Sequence, residues 1–303
     1  MEPQVAHIFA PAKINLSLHV TGQRSDGYHL LDSLVAFADV GDDLSIEKGS
    51  KTPFCVSGPE AAGVPESSDN LVLKVAALMN ASVHAAFELR KNLPVASGIG
   101  GGSADAAAAY RGLVALHTTD SFSPALYDPT TMAEARALLN LGADIPMCLL
   151  SQCARIEGIG ELITPLPHWP SLHAVLVNPR RSISTPDIFR VLEKRNNPAM
   201  PETVPAFSSA LECITWLSQR RNDLQAAAIR IEPAVRTVLD TLSKTENCRL
   251  ARMSGSGATC FGLFVTGDQA DDAAQSLRNQ YPNWWVKATT LGDQSARALP
   301  RVS

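Results

Sequence analysis

Gly98, Gly100, Gly101 and Gly102 crowd into five residues around Ile99, after Pro94-Val-Ala96-Ser97 and before Ser103. Glycine lets backbone N–H groups converge on an anion with no Cβ in the way, and a helix beginning just beyond adds unsatisfied donors and the positive end of its dipole. That is chemistry for holding phosphate. Two better-known phosphate loops do not fit. A Walker loop ends in Gly-Lys-Ser/Thr, whereas Gly102 is followed by Ser103-Ala104. A dinucleotide fingerprint needs glycine at the sixth position from Gly98, where Ser103 stands. A ligand-free strand-to-helix connection is the plain alternative.

Other residues have types that could act beside a phosphate. Lys13 and Asn15 share the polar side of an alternating stretch, where a lysine is ordinarily a solvent-facing strand residue. Asp144, in Leu141-Gly-Ala-Asp144-Ile-Pro, follows a predicted helix and precedes a predicted apolar strand. It could hold or deprotonate a hydroxyl, or it could simply cap a turn; an unperturbed aspartate, with a pKa around 4, is a weak base. Tyr28 and His29 lie just past the turn Ser25-Asp26-Gly27, and Phe189 lies in a helix that Thr185-Pro186 would start, with Thr185 as N-cap. Without further information Phe189 is a core residue sharing a face with Ile188 and Leu192. Gly255-Ser256-Gly-Ala258 reads as a tight turn between strands at 249–253 and 259–265.

The elements that must position these groups can be read from periodicity. Ile14, Leu16, Leu18 and Val20 alternate with Lys13, Asn15, Ser17 and His19, which predicts a strand with one buried face. Short strands are expected at 44–47, 84–90, 173–178 and 284–287. Helices are expected at 69–82, with Asp69 as N-cap, at the alanine-rich 104–116, and at 268–280. Residues 117–130 read as a surface loop. The run Pro165-Leu-Pro-His-Trp-Pro170 marks a domain connection. Strands and helices mix without regular alternation, so the class is α+β.

Bulk properties narrow the field. The chain has 303 residues, 45% hydrophobic and 18% charged, which fits a well-filled core rather than disorder. A net charge of −4 without long basic runs argues against a nucleic-acid or acidic-membrane surface. The six cysteines form no C-x-x-C pair and no zinc-type cluster, as reduced thiols in a cytoplasm would. The first residues lack the pattern of a signal peptide, no stretch has membrane-spanning length, and a cytoplasmic location is expected.

Ala10-Pro-Ala-Lys13-Ile-Asn15-Leu, Pro94 to Ser103, and Gly255-Ser-Gly-Ala258 together resemble the GHMP kinase superfamily, over nearly the whole chain. Thr21 to His29, Leu141 to Pro146, Glu157-Gly-Ile-Gly-Glu161, Thr185-Pro-Asp-Ile-Phe189 and Asn222-Asp-Leu224 resemble its branch that acts on a cytidine diphosphate-linked sugar alcohol of non-mevalonate isoprenoid synthesis.

The resemblance implies two domains: 1–168, of ribosomal-protein-S5-domain-2 type and ATP-binding, and 169–303, ferredoxin-like. It implies ATP-dependent phosphorylation of the alcohol's 2-hydroxyl, with another GHMP acceptor (mevalonate, phosphomevalonate or homoserine) as the alternative. Lys13 and Asp144 would be catalytic. Pro94, Ala96, Ser97, Gly98, Gly100, Gly101, Gly102, Ser103 and Asn70 would bind ATP. Asn15, Tyr28, His29, Thr185, Phe189, Gly255 and Ser256 would bind the acceptor, the tyrosine and phenylalanine stacking on the base while the histidine reads its edge. Mg2+ would arrive with ATP and not on a dedicated protein site. A monomer or homodimer is expected. One departure stands out: the family's second loop serine is here Ala104, followed by Asp105.

Overall fold

A computed structural model describes residues 4–49, 54–79, 85–117, 127–129 and 131–303. Most of the expected 117–130 loop therefore lies outside the described residues. In chain order the elements are β1 (Val5–Gln23), β2 (His29–Lys48), β3 (Cys55–Ser57), α1 (Leu71–Leu78), β4 (Ala85–Arg90), α2 (Gly101–His117), α3 (Ala135–Leu141), α4 (Ile145–Leu150), β5 (Ala154–Gly158) and β6 (Leu162–Pro165). Then follow β7 (Leu172–Asn178), α5 (Thr185–Val191), α6 (Ala210–Ser218), α7 (Gln225–Ile231), α8 (Ala234–Lys244), β8 (Leu250–Met253), β9 (Cys260–Phe264), α9 (Gly267–Gln280), β10 (Trp285–Gly292) and β11 (Arg301–Val302).

The class is α+β, as expected. The described strands form one sheet with the main order β11-β1-β2-β10-β7-β9-β8, and β4 and β5 pair with the two ends of β2. The run at 165–170 is therefore no gap in the sheet, because β10 joins β2 to β7. The last strand returns to pair with Ala6 and His7 of β1.

Three apolar clusters surround this sheet. The first packs the buried alanines of α2 on Ala6, Ile8 and Ala10 of β1. The second packs α7, α8 and α9 on Val175 and Val177 of β7, together with Leu18 and Val20 of β1. The third lies on the opposite face, where α6 covers Ala12, Ile14 and Leu16 together with Ala174 and Leu176.

β1 is therefore not a strand with one buried face: residues 10–20 are buried on both sides. Nor do Ile14, Leu16, Leu18 and Val20 share a face. The register against β2 shifts between Pro11 and Lys13 and again between Asn15 and Ser17. At the second shift β1 carries one extra residue, which turns its following side chains over, whereas at the first the excess is two residues on β2 and the ladder is interrupted. Ala6, Ile8 and Ala10 face the first cluster, and Leu18 and Val20 face the second. Between the two shifts, the odd residues Lys13 and Asn15 take that face instead. The two shifts thus deliver two polar side chains into the gap between the first two cores.

Other expectations change for local reasons. The strand expected at 44–47 is the end of the 20-residue β2. The apolar run Ile145–Leu150 is a helix, because Pro146 suits the first helical turn. Asn70, not Asp69, caps α1, its side chain accepting from Val72 N at 2.9 Å. Ser184, not Thr185, caps α5.

Candidate active site

The gap between the cores opens as a cleft of about 600 Å³, lined by every residue singled out from the sequence except Tyr28 and His29. Lys13 is only 4% exposed. Its ammonium donates to Asn15 Oδ1 at 2.8 Å and pairs with Asp144 Oδ2 at 2.9 Å. Asn15 Nδ2 donates to Ser33 Oγ at 2.8 Å, and Ser33 Oγ donates to Ser17 O, so the amide is fixed from behind. Asp144 sits at the start of α4 but makes no capping hydrogen bond with its side chain. The turn-capping alternative therefore fails, and its carboxylate, about one-third exposed, faces the cleft and Lys13.

The glycine segment is shorter as a loop than its composition suggests, since Gly101 and Gly102 already belong to the first turn of α2. Gly98 (φ +74°) and Gly100 (φ +66°) make the bend in left-handed conformations. A Cβ on Gly100 would lie 3.2 Å from both Cβ and Cε of Lys13 and 3.9 Å from Asp144 Oδ2. The backbone of the loop thus lies directly on the ion pair. Lys13 N also donates to Ile99 O at 2.9 Å.

The Gly255–Ala258 turn locks onto this loop backbone to backbone. A Cβ on Gly98 would lie 2.6 Å from Gly257 N and from Ser254 O, and one on Gly255 would lie 2.6 Å from Gly98 O. Ser254 Oγ donates to Gly98 O and accepts from Asn15 N, both at 3.0 Å. Asn222 Nδ2 holds the turn from behind by donating to the carbonyls of Met253 and Gly255. Ser97 adds rigidity: its hydroxyl donates to Pro94 O at 2.6 Å, and its carbonyl accepts from Thr259 N.

Beneath α2 lies a charge cluster that sequence reasoning missed. The buried Lys91 ammonium bonds to Asp42 and to Asp105, the latter at 2.7 Å. Asp42 also accepts from the amides of Asn92 and Leu93, whereas Asp105 Oδ1 finds no donor. Burial, with Asp42 adding to it against the pull of Lys91, pushes the Asp105 carboxyl up to about 8. Nothing in the spacing of residues 42, 91 and 105 signals that they meet. Asn222, by contrast, sits in a segment already singled out.

At the other end, Phe189 stacks on His29 with ring centroids 4.5 Å apart and planes 20° apart. Burial, with Arg195 nearby, pushes the His29 imidazole below its usual range, and its Nε2 has no partner. Tyr28 is 60% exposed and stands outside this stack. Thr185, freed from capping, shares a hydrogen bond with Ser256 Oγ at 2.7 Å. Asn70 lines the cleft, but its amide is engaged by Val72 N and Pro65 O.

Two family models match, described as GHMP kinases N terminal domain over residues 70–152 and GHMP kinases C terminal over 203–283. A 4-diphosphocytidyl-2-C-methyl-D-erythritol kinase of Roseobacter denitrificans is 56% identical over 99% of this chain and 98% of its own length. One from Dinoroseobacter shibae is 50% identical over 93% and 94%. A crystal structure of 4-(cytidine 5'-diphospho)-2C-methyl-D-erythritol kinase superposes with a TM-score of 0.73 at 31% identity, covering 94% of this chain and 99% of that one.

Proposed function

The chain belongs to the 4-diphosphocytidyl-2-C-methyl-D-erythritol kinases within the GHMP kinase family, and we propose that it transfers the γ-phosphoryl group of ATP to the 2-hydroxyl of that cytidine-bearing alcohol. The observation that carries this reading is the convergence of a left-handed glycine bend, a buried ammonium and an open carboxylate within a few ångströms at Gly100.

In this proposal the amides of the Pro94–Ser103 segment and the start of α2 bind the ATP phosphates. Phosphoryl transfer through a loose transition state asks mainly for positioning and charge compensation. Lys13, fixed by Asn15, offsets negative charge growing on the transferred group. Asp144 holds the acceptor hydroxyl in line and takes its proton late. Among the described residues, no three His, Cys, Asp or Glu side chains gather where they could hold an ion. In this proposal magnesium arrives with the nucleotide, held largely by phosphates and water. Tyr28, His29 and Phe189 receive the cytosine, which requires the His29–Phe189 stack to open and Tyr28 to swing inward. Thr185, Gly255 and Ser256 flank the acceptor, and Asn70 shapes the nucleotide end.

The proposed division falls at 168/169, with the nucleotide on the first part and the acceptor loops 179–189 and 254–258 on the second. Among the described residues no helix is long and apolar enough to cross a membrane. A cytoplasmic monomer or homodimer, without nucleic-acid partners, completes the proposal. The test is ATP consumption by the purified protein with 4-diphosphocytidyl-2-C-methyl-D-erythritol, mevalonate and homoserine in parallel. Turnover with the cytidine compound alone is expected. Turnover with mevalonate or homoserine and none with it would overturn the acceptor.

A further inference from the structure

One bidentate ion pair outside the cleft joins the two segments that border it. Arg180 donates from both terminal nitrogens to Glu60, at 2.6 and 2.7 Å. The Glu60 side chain is only 8% exposed and that of Arg180 47% exposed. Planar, charge-assisted pairs of this kind fix geometry as well as adding energy. A nearly buried carboxylate also makes the loss of its cation costly.

The position of Arg180 is held against local preference. Its φ is +56°, in the left-handed region that costs a residue with a Cβ. Its N–H donates to Asn178 Oδ1 at 2.7 Å, and Asn178 Nδ2 donates to Thr259 Oγ1. Thr259 N in turn bonds to Ser97 O of the glycine segment. Three residues past Arg180, the chain enters the cleft wall at Ile183.

Glu60 is tied to the other wall. It sits in the turn begun by Gly58, which lies against Lys91 so closely that a Cβ there would come within 2.5 Å of Lys91 O. Glu60 N donates to that same carbonyl at 3.1 Å. Lys91 carries the charge cluster beneath α2, and the chain after Glu60 reaches the cleft at Val64 and Pro65. A continuous path thus runs from the acceptor-side segment, through Arg180 and Glu60, to the floor of the phosphate loop.

We propose that Glu60 and Arg180 are positioning residues, a clasp that holds the nucleotide-side turn and the acceptor-side segment in fixed relation so that both substrates meet a preassembled cleft. The proposal rests on the assignment of the cleft as the ATP and acceptor site. Neither residue touches the reacting atoms, so the clasp acts on how well the substrates bind and not on the transfer step.

The test uses Glu60→Gln, Arg180→Gly and the double variant of the full chain, with steady-state kinetics and thermal unfolding. Glycine relieves the left-handed backbone at 180 while removing the cation. Arg180→Gly should therefore lose less stability than removal of the cation alone would cost, though it unfolds below wild type because Glu60 is left unpaired, and it should raise KM for ATP and for the acceptor by about fivefold or more, with kcat within about twofold. Glu60→Gln should raise both KM values similarly, and the double variant should be no worse than the poorer single one. KM values unchanged in both single variants, or restored to wild type in the double variant together with its unfolding temperature, would overturn the clasp. Failure of the wild-type chain to turn over the cytidine compound at all would instead remove the assignment of the cleft.

Discussion

The two ends of the cleft are built from different materials. The proposed phosphate end is made of backbone: Gly98 packs main chain on main chain against the Gly255–Ala258 turn, with Ser254 and Asn222 binding carbonyls behind them. The proposed acceptor end is made of side chains: a His29–Phe189 stack closed on itself, with Tyr28 out in solvent. Backbone contacts of this kind leave no rotamer to choose, so this end is set by folding. In the proposed function the aromatic end changes side-chain conformations to admit a base. Rigidity where every substrate of the class is alike, and adjustable rings where the acceptor is singular, is the lesson of the contrast.

The largest expected effect falls where the two ends meet. Asp144→Asn should lower kcat by about 10³-fold, while thermal unfolding and binding of an ATP analogue stay near wild type. Full turnover in that variant would remove Asp144 from the mechanism. Next comes the rigid end. Gly98→Ala places a Cβ 2.6 Å from backbone atoms at a φ of +74°, so stability should fall by about 2–4 kcal/mol, read by chemical denaturation. An unperturbed Gly98→Ala protein would mean that the loop yields and the contrast is lost.

At the adjustable end the effects are smaller and selective. Tyr28→Ala and Phe189→Ala should each raise the acceptor KM by about tenfold, as lost base stacking of about 1–3 kcal/mol implies, with the KM for ATP unchanged. Equal effects on both substrates would count against stacking.

A further effect, outside this ranking, is a slope with pH. Asp105 has its carboxyl pushed up to about 8, chiefly by burial, so between the ordinary aspartate range and pH 8 the folded state holds a proton that the unfolded state has released. Stability linked to that proton declines as pH rises through this window and levels off above it. Relative to Asp105→Asn, the unfolding temperature of the wild type should therefore drift downward from about pH 4 to pH 8. A constant difference would mean that Asp105 is ionised throughout.

The residues of the phosphate bend, Lys13 and Asp144 were legible because each belongs to a short contiguous motif. The α+β class was legible from the mixture of periodicities. What escaped was whatever depends on distant segments meeting. The alternation around Lys13 has the right period, but the two register shifts that turn Leu18 and Val20 to another face arise from pairing with β2. Ile145–Leu150 is too short for its apolar run to distinguish strand from helix. Asp42 lies in β2, Lys91 just beyond β4 and Asp105 in α2, and only the fold brings the three side chains together.

The place of β10 in the sheet also bears on how the chain is made. Residues 285–292 are synthesised after every other strand of the main path except β11, yet they lie between β2 and β7, pairing along the whole of β7. Until they leave the ribosome, β7 exposes an unpaired strand edge, and the sheet cannot be completed however early the first core forms. Nascent chains halted before residue 285 should therefore present a sticky edge to chaperones, and emergence of β10 should be the event that joins β2 to β7.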